Sequence, residues 1–172
     1  MKTCIRRGTF ETNSSSTHSI MIRANAGVDE NKKWTEDEIH EQLEAIGAVV
    51  SGDKDGWDGI SLDLSAIDPE LASFDRTEEA YNTFAIKLIY AIVSFRYDSF
   101  LWPALLSFLN NKLGIKQIYF KTEYTDDYPD GKCIGRIDHD SDDALAQIFA
   151  DGISMEEYLF RKDIYLMIDN EG

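Results

Sequence analysis

Paired cysteines, long apolar runs and phosphate-binding glycine motifs are all missing from this chain. Its two cysteines, Cys4 and Cys133, lie far apart and neither belongs to a C-x2-C pair, so neither a disulfide framework nor a structural zinc site is indicated. Both thiols read as reduced and buried. The longest apolar run, residues 84–95, is twelve residues and includes Lys87 and Ser94, whereas a membrane span needs about 18 or more. The first twenty residues hold no continuous apolar stretch of the signal-peptide kind, and the chain reads as cytosolic. The patterns G-x-x-x-x-G-K-[ST], G-x-G-x-x-G and G-x-S-x-G do not occur. Nucleotide and hydrolase fingerprints are therefore absent, and no cofactor is expected. Internal repeats and low-complexity segments are absent too.

Positive charge is scarce. The 17 Lys plus Arg face 32 Asp plus Glu, for a formal net charge of −15. Affinity for phosphate backbones rests on cations that release counterions, so broad direct DNA binding is not expected. A surface of this sign fits a basic groove on a nucleic-acid enzyme, where it imitates the potential of phosphates. What is present is enough to fold: 43% apolar and 12% aromatic residues over 172 positions suit one domain spanning residues 1–172.

The periodicities predict an α+β domain, with a small, mostly antiparallel sheet packed against two central apolar helices. Residues 1–7 and 16–23 read as strands of an N-terminal hairpin within residues 1–24. A helical middle occupies residues 34–113. Its first helix opens on Thr35 and Glu38, which fit a capping box, with Trp34 and Ile39 stapling it and Gly47 ending it. Residues 51–65 are turn-rich, then alternate at Ile60, Leu62 and Leu64. Asp75 precedes a long helix on which Tyr81, Phe84, Ala85, Leu88, Ile92 and Phe95 recur at helical spacing. Trp102 and Pro103 open the next, buried through Leu105, Leu106, Leu109 and Leu113 and stopped by Gly114. In the C-terminal part, residues 115–170, the stretches 115–122 and 132–137 read as an antiparallel hairpin around a turn at 126–131. Short helices at 141–150 and 154–160 precede a last strand at 164–168.

Two clusters carry chemistry. Histidine transfers protons near neutral pH and an adjacent carboxylate orients it, so His18 and His139, with Glu11 and Asp138, are the candidate catalytic residues for a metal-independent ribonuclease or phosphodiesterase. Arg6, Arg7 and Arg136 supply candidate phosphate contacts, and Asn13, Ser14, Ser15 and Ser16 complete a candidate binding segment. The competing reading makes Asn13 and the serines turn residues and Asp140 or Ser141 a helix cap. His40 reads as solvated. The stretch from Asp53 to Gly59 departs from an EF-hand loop at Trp57 and Asp63, so no metal is expected. Ser14 to Thr17 invites comparison with ADP-ribosyltransferases, but Glu78-Glu79 and Glu156-Glu157 are adjacent pairs where that chemistry uses a spaced one.

The residues Arg6, Gly8, Phe10, Glu11, Thr12, Asn13, Ser14, Ser15, Ser16, His18 and Ser19 together resemble a signature on proteins of phages and prophages of Gram-positive bacteria, most without assigned function. Ile137, Asp138, His139 and Ser141, followed by Tyr158, Leu159 and Phe160 before a final strand, resemble the matching C-terminal end. The resemblance covers about a fifth of the chain. It implies a protein made in the cytoplasm of an infected bacterium that inhibits host defence or redirects host enzymes, an anti-CRISPR protein being one concrete version. The leading expectation is thus an inhibitor that binds a host nucleic-acid-handling protein or its ribonucleoprotein complex. The two-histidine nuclease and a phage structural or assembly protein are its rivals.

Overall fold

The two ends of the sequence meet in one sheet. A computed structural model of the chain describes residues 5–9, 17–24, 32–52, 59–74, 79–120, 136–137, 149 and 152–171. In chain order these form β1 (Ile5–Thr9), β2 (Thr17–Ala24), α1 (Glu36–Ala45), β3 (Val49–Ser51), β4 (Ile60–Asp63), a 3-10 turn (Pro69–Ala72), β5 (Ser73–Phe74), β6 (Glu79–Tyr81), α2 (Phe84–Phe95), α3 (Leu101–Leu113), β7 (Ile115–Tyr119), β8 (Arg136–Ile137), α4 (Met155–Phe160) and β9 (Ile164–Glu171). The largest sheet has the order β1-β2-β9-β6 and is antiparallel throughout. A second, β3-β4-β7, is mixed, and β5 pairs with β8 in parallel. The expected α+β architecture with mostly antiparallel pairing is what forms.

Helix α2 supplies the core. It buries ten of its twelve side chains, and each Leu, Ile or Phe so buried contributes about 1.5–3 kcal/mol. Phe84 meets Phe160 edge-on at 5.3 Å, Phe108 meets the same ring at 5.9 Å, and Tyr90 packs on Phe74 at 4.8 Å. The helix is therefore surrounded by α3, α4 and the β5 region at once. Helix α1 joins through Ile39 and Leu43, both buried. Its start is the capping box read from Thr35 and Glu38, and Gly47 follows its end at φ +82°. In α3, Leu105 and Leu109 are buried. Gly114 closes this helix at φ +69°, a left-handed geometry that glycine adopts without a Cβ penalty.

Three expectations need correction. The helix following Asp75 begins only at Phe84, capped by the Thr83 hydroxyl accepting from the Ile86 N–H. Tyr81 instead lies in β6, opposite Leu166. The C-terminal hairpin does not form among the described residues: β7 pairs in parallel with β4, and β8 pairs with β5. Val49–Ser51, within a stretch without a strand assignment, pairs antiparallel with β4. The turn expected at 126–131, the loop 53–58, and the helix 141–150 apart from Phe149 lie outside the described residues.

Gly52 and Gly59 bring the start and end of the 53–58 segment into backbone contact. A Cβ on Gly52 would stand 2.4 Å from the Gly59 carbonyl oxygen, at φ +113°. Gly152, at φ +101°, has nothing within 4 Å of that position. Gly52→Ala should therefore cost about 2–4 kcal/mol in urea unfolding, and Gly152→Ala only about 1 kcal/mol of backbone strain. Equal costs would show that the close approach is not constraining.

Candidate functional site

Strand β2 carries the end of the hydroxyl-rich segment that leads to His18, and β9 reads along it residue by residue, from Thr17 opposite Glu171 to Ala24 opposite Ile164. Directly opposed residues share a face of an antiparallel pair and the faces alternate. Positions 18, 20, 22 and 24 thus belong to the face of Ile164 and Leu166, both buried. His18 is opposite Asn170, in the outermost such row. Arg7 is opposite Ile22, on the same face but four residues along the strand, about 14 Å away at 3.4 Å per residue. Arg6 is opposite Arg23 and belongs to the other face. Arg136 lies in the separate β5–β8 pair, opposite Ser73. Among the described residues the backbone therefore brings Asn170, and none of these three arginines, alongside His18. Glu11, Asn13, Ser14, Ser15, Ser16, Asp138 and His139 lie outside the described residues, as do Cys4 and Cys133.

Strand β9 is held from below by a charge-capable group inside the apolar helix. The Lys87 side chain is fully buried, and its Nζ donates to the Arg161 and Ile164 carbonyl oxygens, each at 3.0 Å. Burial pulls this amine down to about 7, with the nearby Asp163 carboxylate opposing the shift. Asp163, 1% exposed, receives a two-pronged hydrogen bond from Arg161, Nε to Oδ1 at 2.9 Å and Nη2 to Oδ2 at 2.6 Å. The Tyr158 hydroxyl donates to the Lys87 carbonyl at 3.1 Å, and its burial pushes the phenol well above its ordinary value. These groups form a polar seam between α2, α4 and the start of β9. Being closed to solvent, Lys87 has no access to a substrate; what it does is fix where β9 begins. Only one sequence signal marked it, a lysine interrupting an apolar run.

No family model, curated protein or solved structure matches this chain. Its function has to be argued from its own surfaces. Among the described residues no group of three or more His, Cys, Asp or Glu is arranged to hold a metal ion, and no helix is long and apolar enough to cross a membrane.

The exposed chemistry is acidic. Helix α1 carries Glu36, Asp37, Glu38, Glu41 and Glu44 within ten residues, and Glu36, Asp37, Glu41 and Glu44 are exposed. Asp37, Glu41 and Glu44 fall on one strip of the helix, since residues three and four apart are neighbours. His40 Nε2 lies 3.2 Å from Glu44 Oε1, so this histidine is exposed as expected and belongs to the acidic face. Glu38 is turned aside to Lys162, whose hydrogen bond leads the causes holding its carboxyl at about 2.

Lys87 gives the pH dependence a definite sign. Its ordinary value near 10.5 applies to the unfolded chain and about 7 to the folded one, so between these values the unfolded state binds more protons and stability rises with pH. The penalty for a charged Lys87 is present in full below pH 7 and disappears towards pH 10.5. From pH 7 to pH 9 the wild-type unfolding free energy should gain about 2 kcal/mol more than that of Lys87→Met. Parallel pH profiles for the two proteins would contradict a shifted amine.

Proposed function

We propose that this protein is a phage or prophage accessory protein that binds a host nucleic-acid-handling protein and occupies its cationic nucleic-acid groove, a CRISPR effector being one such target. The observation that carries this reading is the outward strip of α1, where Asp37, Glu41 and Glu44 stand in a row with no lysine or arginine on the helix. Among the described residues, several lysines around the helix are already engaged. Lys162 is paired with Glu38, and Lys33 and Lys112 both pair with Glu156, at 2.7 and 2.8 Å. The carboxylates of α1 therefore project a negative potential with little local compensation, on a chain of net charge −15. A groove built to attract phosphates attracts such a face and is blocked by it.

The test is capture from the lysate of a Gram-positive bacterium by the tagged chain, after nuclease treatment, compared with the triple variant Asp37→Lys, Glu41→Lys, Glu44→Lys. The expected result is a stoichiometric nucleic-acid enzyme that added nucleic acid or about 0.5 M salt displaces, and that the triple variant fails to retain. Retention that is indifferent to the charge reversal would refute the reading.

A further inference from the structure

The four-stranded sheet sets two arginines side by side on the face away from the core. Ala24 is opposite Ile164 and Ile22 opposite Leu166, and both β9 residues are buried, so positions 19, 21 and 23 of β2 belong to the other face. On that face Arg23 is directly opposite Arg6 of β1 on one side and Tyr165 of β9 on the other. The row therefore reads Arg6, Arg23, Tyr165 across three adjacent strands, with neighbouring Cα atoms about 5 Å apart. Like charges directly opposed across an antiparallel pair work against folding, and guanidinium groups keep their charge at every physiological pH. The strand neighbours do not offset it. The next row along holds Met21 and Met167, with Ala80 of β6 beyond. Among the described strand positions the first carboxylate on this face is Asp169, opposite Ser19 and four residues from Arg23, about 14 Å away. Asp163, just before β9, is buried and taken by Arg161. In a chain with 17 cations against 32 anions, two of the cations are thus placed where they repel each other.

We infer that this row is an anion site, in which Arg6 and Arg23 together hold the phosphate group of a small phosphorylated ligand and Tyr165, half-buried, flanks it. Repulsion between two neighbouring cations is relieved by an anion shared between them, and the planar fork of arginine suits phosphate oxygens two at a time. Arg6, expected to serve His18, has Arg23 as its register partner instead. The inference stands apart from the groove-blocking function and does not rest on it. Register selects the size of the ligand. A single phosphoryl or diphosphoryl group stays within the row. The repeating phosphates of a nucleic acid laid along β2 run instead towards Asp169 and, opposite Thr17, Glu171, on a chain whose net charge of −15 already repels them. An aromatic position one strand from Arg23 matches a nucleotide, whose base can stack on a ring, whereas inorganic phosphates need the arginines alone.

The experiment is isothermal titration calorimetry of the full chain at low salt with three probes, pyrophosphate, ADP and adenosine, repeated on Arg6→Gln, Arg23→Gln and Arg23→Lys. The expected result is that pyrophosphate and ADP bind and adenosine does not, and that each glutamine variant weakens phosphate binding by about tenfold or more. Arg23→Lys, which keeps the charge without the fork, should fail to restore it. ADP binding about tenfold tighter than pyrophosphate, with the difference lost in Tyr165→Leu, assigns the site to nucleotides; equal affinity assigns it to free phosphates. Urea unfolding separates loss of the site from loss of the fold, since relief of a like-charge pair predicts that neither glutamine variant is less stable than the ligand-free wild type. A glutamine variant that unfolds more readily would contradict the repulsion on which the site rests. Absence of binding by both phosphate probes, adenosine binding as tight as that of ADP, or phosphate binding that survives both glutamine variants would overturn the site.

Discussion

The architecture depends on one buried amine. Helix α2 is apolar enough to pack on all sides, and a helix of that kind has no intrinsic preference for one neighbour over another. Lys87 supplies the preference, since its hydrogen bonds to the carbonyls of Arg161 and Ile164 accept only one placement of the chain at the entry to β9. Strand β9 in turn is the template for β2 on one edge and β6 on the other, and β2 carries β1. Leaving a buried polar group unmade costs about 1–3 kcal/mol, so a misplaced β9 would strand an amine and a carboxylate, Asp163, in the core. The seam thereby converts nonspecific apolar packing into a defined register, a use of buried polar groups that holds as long as every member is satisfied.

The same economy shapes the outside. Several of the described cations are paired across elements: Lys33 and Lys112 converge on Glu156, Arg161 binds Asp163 and Glu157, and Lys162 reaches Glu38 while lying 4.5 Å from the Trp34 ring. These pairs tie α1, α3 and α4 to the segment before β9. The exposed carboxylates of α1 are left to define the field around that helix. Acidic character is here a consequence of where the few cations are spent, as much as of their number.

Local signals in the sequence were legible because their physics is local. The Thr35–Glu38 capping box, the Gly114 stop and the alternation at Ile60, Leu62 and Leu64 each formed as read. The errors arose where partners are distant. Tyr81 keeps helical spacing with Phe84, Ala85 and Leu88, yet the edge of β9, more than eighty residues later, draws it into a strand. Ile115–Tyr119 alternates like half of a hairpin, but it pairs in parallel with β4, more than fifty residues earlier in the chain. Of the candidate site, the sequence marked His18 and the basic residues around it without showing that a pleat separates Arg6 from His18 and that four residues separate Arg7. Lys87 was visible only as an interruption, because a buried lysine acquires meaning from carbonyls 74 and 77 residues away.

The most direct measurement of this account is amide hydrogen exchange on the wild type and on Lys87→Ala, followed at β9 and β2. A strand order templated through Lys87 predicts that protection falls together at residues 164–168 and at residues 18–24, while α1, capped by its own box, keeps its protection relative to global unfolding. Protection lost uniformly across the chain, or retained in both strands, would contradict the claim that the buried amine sets the register of the sheet.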